Sequence, residues 1–251
     1  MDWVQWTLLF FLPIEARALE LDPLGNLYLT KPTQELVKLD SLGNVLFTYP
    51  QNRWGVLHRV EATNPMKILL SYHDYAQIVV LDNTLSELGV LSLQRLGINS
   101  CSATAFSPRD NAVWIYDREQ WNLKKIDLNG NIVLDAPDML QQLGIVLEPV
   151  FMVEHHNRLY ISDTTNGIFV FDAYGLFLEQ LPLSMVTNFQ VSGTTLVGMQ
   201  KGAVVLYDLI HGKSKNISPP VAQPCQGVRI LHDRWFMLFP SGLYVYRLLH
   251  R

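Results

Sequence analysis

The segment Leu36-Val37-Lys38-Leu39-Asp40 places an aspartate at the end of a short stretch of mainly apolar residues. The pattern recurs along the chain at steps of 42, 45, 45, 36 and 39 residues. The further copies are Ile78-Val79-Val80-Leu81-Asp82, Leu123-Lys124-Lys125-Ile126-Asp127, Ile168-Phe169-Val170-Phe171-Asp172, Val204-Val205-Leu206-Tyr207-Asp208 and Leu243-Tyr244-Val245-Tyr246-Arg247, the last with arginine in place of aspartate. Repeats of about 40 residues built from β-type segments are typical of β-propellers. The sequence therefore predicts an all-β fold, a six-bladed β-propeller of four-stranded blades.

The repeats run through the whole chain, which predicts a single propeller domain over residues 1–251. The predicted blades cover approximately residues 17–50, 59–94, 102–136, 148–183, 187–219 and 225–251, the last together with 3–11. The final repeat ends after three strands, and the N-terminal segment is a surplus strand. We expect this N-terminal strand to complete the last blade, because closing the array removes open sheet edges.

The recurring aspartate has a local explanation in the segment Asp40-Ser41-Leu42-Gly43-Asn44. Glycine and asparagine tolerate the positive φ that tight hairpin turns need, and an aspartate side chain can close an Asx turn. The sequence therefore predicts that this aspartate forms turns and is not a functional group.

Composition excludes several classes of function. The net charge is −4 and no run of Lys or Arg occurs, so the basic patch expected of a nucleic-acid-binding protein is missing. No segment reaches the 18 or more apolar residues of a membrane span. The apolar segment near the N-terminus resembles a signal-peptide core, but Asp2 is the only charge before it, which favours a structural strand. Any signal or anchor would then lie outside this sequence.

Two cysteines, Cys101 and Cys225, do not make a disulfide framework, and we expect two free thiols. Two longer links between repeats share the pattern Leu-Gln-x-Leu-Gly-Ile. In the second, Asp138 is placed to cap a single helical turn that Gly144 ends.

The segments Leu21-Asp22-Pro23-Leu24-Gly25-Asn26-Leu27-Tyr28-Leu29-Thr30 and Asn157-Arg158-Leu159-Tyr160-Ile161-Ser162-Asp163 resemble the strand–turn–strand core of NHL-type six-bladed propellers. Repeats two, five and six depart from this pattern at Lys67, Thr195 and Trp235. The resemblance implies either a lactonase- or lyase-like enzyme or a protein-binding domain. More loosely, the chain is similar to small cell-envelope propellers of Bacteroidota, some associated with type IX secretion. That similarity implies a periplasmic or envelope-associated location.

The enzymatic alternative requires a metal ion on the propeller axis, held by side chains of the innermost strands. Glu20 and Glu61 are the acidic residues predicted to lie within these strands. Two carboxylates are a poor calcium site, since Ca²⁺ takes six to eight oxygen ligands. The adjacent pair His155-His156 falls in a predicted turn and would need further ligands to hold a metal. The sequence thus predicts neither a cofactor nor a catalytic residue, and a metal at Glu20 and Glu61 is the alternative.

The loops between second and third strands carry the stronger candidates. These loops should lie on the same face as the links between blades, and loops on a rigid scaffold commonly carry function. Tyr, Trp and Arg are enriched at binding hot spots. The predicted partner-binding residues are Arg53, Trp54, His73, Tyr75, Arg118 and Trp121. The alternative is that each ring packs on its own blade. The sequence predicts a non-catalytic docking propeller with a protein partner, in a larger complex.

Overall fold

The computed structural model describes residues 4–50 and 53–250. The first strands are β1 (Val4–Leu12), β2 (Ala18–Leu21), β3 (Leu27–Thr30), β4 (Leu36–Leu39), β5 (Val45–Tyr49), β6 (Arg59–Asn64), β7 (Lys67–Tyr72), β8 (Gln77–Leu81) and β9 (Glu87–Ser92). They are followed by β10 (Cys101–Ser107), β11 (Ala112–Asp117), β12 (Asn122–Asp127), β13 (Ile132–Asp135), β14 (Pro149–His155), β15 (Arg158–Asp163), β16 (Gly167–Phe171) and β17 (Phe177–Leu181). The last are β18 (Phe189–Ser192), β19 (Thr195–Gln200), β20 (Ala203–Asp208), β21 (Lys213–Ile217), β22 (Gly227–Leu231), β23 (Arg234–Phe239) and β24 (Gly242–His250).

These strands form six four-stranded sheets, each made of antiparallel neighbours. The predicted all-β, six-bladed β-propeller is therefore confirmed. The chain divides into two compact units. Unit 1, Met1–Pro50 with Asn188–Arg251, holds the sheets β2-β3-β4-β5, β18-β19-β20-β21 and β1-β24-β23-β22. Unit 2, Gln51–Thr187, holds the sheets β6-β7-β8-β9, β10-β11-β12-β13 and β14-β15-β16-β17.

The N-terminal strand completes the last sheet, as predicted. Strand β1 pairs antiparallel with β24 and occupies the outer position that a fourth strand fills elsewhere. Trp6 packs edge-on against Trp235, with ring centroids 5.2 Å apart, and such aromatic pairs stabilise a fold by about 1 kcal/mol. Arg247 lies inside the nine-residue strand β24, because no hairpin turn is needed where the next strand comes from the other end of the chain.

The recurring aspartates form turns, also as predicted. Their Oδ1 atoms accept backbone N–H groups two and four residues later at Asp40, Asp82, Asp127 and Asp172, and two and three residues later at Asp208. In the first of these turns, Gly43 has φ +90°. The amide of Asn44 also donates to Asp40, and these hydrogen bonds lower the pKa of that carboxyl group.

Within each unit, a hydrophobic core of described residues lies between neighbouring sheets. In unit 2, one core packs Trp114 and Tyr116 of β11 against Met152 of β14. In unit 1, one core packs Leu29 of β3 against Phe236 of β23. Strand residues with both faces buried in this way explain the nearly continuous apolar runs.

The predicted helical turn is confirmed as α1 (Met139–Leu143), capped by the Asp138 carboxylate and ended by Gly144 at φ +70°. Among the residues described, no helix has the length and hydropathy needed to cross a membrane.

Candidate functional site

The loops between second and third strands of unit 2 lie beside the links that join its sheets. A hydrogen bond connects a loop to a link at six successive places. The bonds are His73 N to His58 Nδ1 (3.3 Å), Leu93 N to Ala76 O (2.9 Å), Arg118 N to Ser100 O (3.0 Å), Met139 N to Trp121 O (2.9 Å), Glu148 N to Asp163 Oδ2 (2.8 Å) and Met185 N to Thr164 O (3.2 Å). We call this surface the loop face of unit 2; it comprises residues 53–58, 73–76, 93–100, 117–121, 136–148, 163–166 and 182–187.

Large apolar side chains are exposed on the loop face of unit 2. They are Val56 (44%), Tyr75 (52%), Trp121 (41%), Ile145 (36%), Val146 (43%) and Met185 (54%). Exposed apolar side chains that occur singly need no explanation, but a group on connected loops is typical of an interaction surface.

Two of these side chains stand on backbone that disfavours them. Trp121 has φ +51° and Met185 has φ +62°, the left-handed region that bulky residues rarely adopt. The Trp121 carbonyl is held by Met139 N–H and the Met185 N–H by Thr164 O, so hydrogen bonds with neighbouring loops keep both residues in place. Strain of this kind costs about 1 kcal/mol or more and is concentrated at functional sites.

Tyr75 closes a short 3₁₀ turn, His73–Tyr75, between β7 and β8. A Cβ built at Gly55 would lie 2.8 Å from its ring, so the ring lies directly over the glycine backbone. Gly55 itself has φ +76°. A glycine is therefore required at 55 both for the backbone and for the Tyr75 ring, which keeps half of its surface open.

Arg53 and Trp54 form a cluster with the outer strand of their own sheet. The Arg53 guanidinium binds the Glu87 carboxylate and lies 5.7 Å from the Trp54 ring centroid. Trp54 is half-buried, and its indole N–H is buried without a hydrogen-bond partner among the described residues. That Trp54 contacts a partner stays a prediction.

His73 is half-buried and stacks on His58, with ring centroids 4.6 Å apart. Burial, followed by the nearby His58 and Arg59, lowers the pKa of His73 to about 4, and the Asp74 carboxylate only partly opposes this. The imidazole is therefore neutral at physiological pH. That His73 contacts a partner stays a prediction.

Arg118 is exposed, and its side chain makes no hydrogen bond or ion pair with the described part of the chain. Its loop is fixed from beneath by the buried Asp117, whose Oδ1 accepts the N–H groups of Glu119 (3.0 Å) and Gln120 (3.3 Å). The loop is thus ordered while the guanidinium at its tip is available to a carboxylate.

Sequence reasoning missed Ile145, Val146 and Met185 as candidates for contact. An available signal was the exposed Ile-Val pair directly after the helix-ending Gly144. Met185 gave no signal, because the residues around it do not predict its positive φ.

The two acidic candidates for an axial metal are both bound to arginine. In unit 1, Glu20 on β2 accepts two bonds from Arg229 on β22, one of 2.9 Å from Nε. The Arg229 Nη2 group also donates to the Asn188 amide oxygen at 2.6 Å. This bidentate geometry is the strongest form of an arginine–carboxylate pair.

Unit 2 contains a second cluster of this type. Arg59 on β6 lies 3.2 Å from the Glu61 carboxylate and donates to the carbonyl oxygens of Thr104 (2.6 Å) and Met152. The guanidinium also lies 4.1 Å from the Phe151 ring centroid. One side chain thereby joins the first strands of three consecutive sheets.

No group of three or more His, Cys, Asp or Glu side chains suited to a metal is found in residues 4–50 and 53–250. The His155 and His156 rings contact each other, with centroids 4.0 Å apart. Both cysteines are free thiols. Burial raises the pKa of Cys101 to about 12 and that of Cys225 to about 11.

Comparison with solved structures agrees with the strand topology. A WD40 domain of Pan2 from Neurospora crassa superposes with a TM-score of 0.65 at 10% identity, covering 96% of this chain and 95% of that one. Virginiamycin B lyase from Staphylococcus aureus superposes with a TM-score of 0.63 at 12% identity, covering 92% of this chain and 78% of that one. The chain has the six-bladed β-propeller fold.

A catalytically inactive variant of the same lyase, solved with quinupristin, gives a TM-score of 0.64 at 12% identity, covering 95% of this chain and 83% of that one. At these identities the likeness concerns the fold alone, and it includes both a lyase and a WD40 domain. No protein-family model matches the chain. No curated protein matches it either.

Proposed function

We propose that this propeller is a non-catalytic docking module that binds another protein through the loop face of unit 2. The observation that carries the proposal is the exposure of Trp121 and Met185 on backbone that disfavours them. An exposed bulky side chain gains little packing at such a position, and we attribute its presence to a contact outside the chain.

The chemistry of this surface suits a protein partner. Tyr75 and Trp121 offer large aromatic surfaces, and the unpaired Arg118 offers a planar donor for a carboxylate. Tyr, Trp and Arg dominate binding hot spots, where a single side chain contributes about 2 kcal/mol or more. The hydrogen-bonded loops supply these groups already ordered, which lowers the entropy lost on binding.

The alternative, a lactonase- or lyase-like enzyme with an axial metal, requires carboxylates that can bind an ion. Glu20 and Glu61 instead bind Arg229 and Arg59. A cation would have to displace a guanidinium that is itself almost buried. This arrangement supports docking over metal-dependent catalysis.

We further infer that the chain is an NHL-like propeller whose partner belongs to a larger bacterial cell-envelope complex, such as the type IX secretion machinery. The support for this finer proposal is the sequence resemblance alone. Fractionation of native cells, with the protein followed by immunoblotting, tests it. Recovery with the envelope or periplasmic fraction is expected, and recovery in the cytosol would contradict it.

The docking proposal is tested by affinity purification of a tagged copy from native extract, with quantitative mass spectrometry. The informative variant is Tyr75→Ala, and Tyr174→Ala is the matched control. Tyr174 is another tyrosine of unit 2, 62% exposed, in the turn between β16 and β17 at the other end of the strands. We expect a partner that the wild type and Tyr174→Ala retain equally and that Tyr75→Ala loses by about tenfold or more.

Equal retention of every partner by the two variants would contradict the proposal. So would a wild-type protein that retains no partner. A metal on the axis with hydrolase or lyase activity would support the enzymatic alternative instead.

A further inference from the structure

A cavity of about 320 Å³ lies at the turn end of two neighbouring sheets in unit 1. Its walls come from three turns: β2–β3, β4–β5 and β22–β23. The apolar surface is provided by Leu24, Leu231 and the buried Phe236. This volume is at the lower end of the range for sites that bind small molecules.

The turns around the cavity are fixed by hydrogen bonds. The buried Asp22 carboxylate accepts the N–H groups of Leu24 (2.9 Å) and Asn26 (2.8 Å) and the hydroxyl group of Tyr28 (3.1 Å). The neighbouring turn at Asp40 is fixed in the same way. Because these carboxylates accept hydrogen bonds within their own turns, the turns that form the cavity are held in place without a ligand.

The charged side chains lining the cavity are Asp233 and Arg234. Asp233 binds Arg247 at 2.6 Å, and Arg247 is also the cross-strand neighbour of Arg234. Two like charges placed opposite each other destabilise a sheet, and one aspartate offsets only one of them. The Arg234 guanidinium has no hydrogen-bond or ion-pair partner in the described part of the chain.

This pair of neighbouring arginines arises where the sixth repeat departs from the others. Arg247 takes the position of the recurring aspartate, so a second cation stands where the other repeats have an anion. The result is a cavity with an apolar wall and one guanidinium that no described side chain pairs with. Arginine recognises carboxylates through paired N–H donors.

We propose that this cavity binds a small monocarboxylate with an apolar body, the carboxylate on Arg234 and the apolar part against Leu24, Leu231 and Phe236. The ligand is either a free acid or the carboxyl terminus of a peptide that ends in an apolar residue. The site belongs to unit 1 and is independent of the docking proposal.

Ligand-observed NMR titrations test the site with two pairs of probes. The first pair is hexanoate and hexanamide, which have the same shape but differ in charge. The second pair is Ala-Ala-Leu with a free carboxyl terminus and the same tripeptide as its amide. We expect the acids to bind with Kd values on the order of 1 mM and the amides about tenfold more weakly. Binding of only hexanoate or only the tripeptide acid identifies the source of the carboxylate.

The variant Arg234→Gln is expected to weaken acid binding about tenfold and to leave the weak amide binding unchanged. Arg17→Gln is the matched control, because Arg17 is exposed and precedes β2 at the end of that strand opposite to Asp22. Thermal melting confirms that both variants fold. A second variant, Leu24→Ser, removes an apolar wall that is 71% exposed and should weaken the acids and amides alike. Failure of both acids to bind, or equal binding by Arg234→Gln, would overturn the proposal.

Discussion

The loop face of unit 2 and the corresponding loops of unit 1 have similar backbones but different side chains. In both units, turns before the third strand contain a residue at positive φ: Trp121 at +51° in unit 2, and Gln34 at +70° and Lys201 at +50° in unit 1. In unit 1 these turns carry polar residues, and Lys31 and Glu35 pair at 2.7 Å. Among the described residues, no large apolar side chain is exposed in the unit 1 loops 13–17, 31–35, 200–202, 218–226 and 240–241.

The comparison shows that the propeller repeat determines backbone conformation and leaves the side chain free to vary. A polar residue at the left-handed position is solvated and needs no partner. A tryptophan at the same position exposes apolar surface and adds strain. The difference between the units therefore lies in what their loops present, and function is expected where that difference is largest.

The buried arginine–glutamate clusters of the two units should contribute similarly to stability, unlike the side chains of their loops. Arg59→Ala and Arg229→Ala each leave a partly or fully buried carboxylate, Glu61 or Glu20, without its guanidinium. We expect each change to lower the free energy of unfolding by about 3–5 kcal/mol, because an unpaired buried charge is costly. Urea unfolding followed by fluorescence measures this loss. A loss in only one unit would show that the two clusters are not equivalent.

His73 should give unit 2 a pH dependence of its own. Its pKa is about 4 in the fold, against an ordinary value of 6.5, so between these values the unfolded chain binds a proton that the folded chain does not. Stability is therefore lost as the pH falls from 6.5 towards 4. Between pH 6.5 and 5 the wild type should lose about 1.5 kcal/mol more than His73→Gln.

Unfolding curves at the two pH values check this difference. The exposed turn residue His156 provides the control, and His156→Gln should follow the wild type. A pH dependence that is the same in His73→Gln and in the wild type would refute the assignment.

The positive φ shared by Trp121 and Lys201 predicts an effect on stability smaller than the two above. At a positive φ, glycine is favoured over alanine, so Trp121→Gly should be more stable than Trp121→Ala by about 1 kcal/mol. The same difference is expected between Lys201→Gly and Lys201→Ala in unit 1. Comparing the two substitutions at each site cancels the loss of the original side chain. Denaturant midpoints give both values, and a difference at only one site would break the equivalence of the two turns.

The fold could be predicted from the sequence because its signals are local and repeated. The aspartate turns and the Asp138 cap depend on residues within a few positions of one another. The roles of Glu20 and Glu61 could not be predicted in this way. Glu20 pairs with Arg229, which lies far along the chain. Glu61 pairs with Arg59, two residues away on the same strand, and the sequence gives no sign of that pairing.

The candidate site was predictable only in part. The sequence predicts Tyr75, Arg118 and Trp121 as contacts because they are aromatic or arginine residues in predicted loops, and all three are exposed. Trp54 and His73 belong to the same set of loops and links but are half-buried. The sequence pattern does not predict this burial, because it depends on tertiary contacts with neighbouring side chains. The positive φ of Met185 is likewise set by its bond to Thr164.

The most direct test of the account is the partner retention of Trp121→Gly compared with Lys201→Gly. Both substitutions suit the backbone at their positions, so both proteins should fold, and only the first removes a side chain from the loop face of unit 2. Affinity purification with isotope-labelled quantification measures the amount of partner retained by each. We expect Lys201→Gly to retain the wild-type amount and Trp121→Gly to lose about tenfold or more. Equal retention by the two variants would contradict the claim that the loop face of unit 2 is the docking surface.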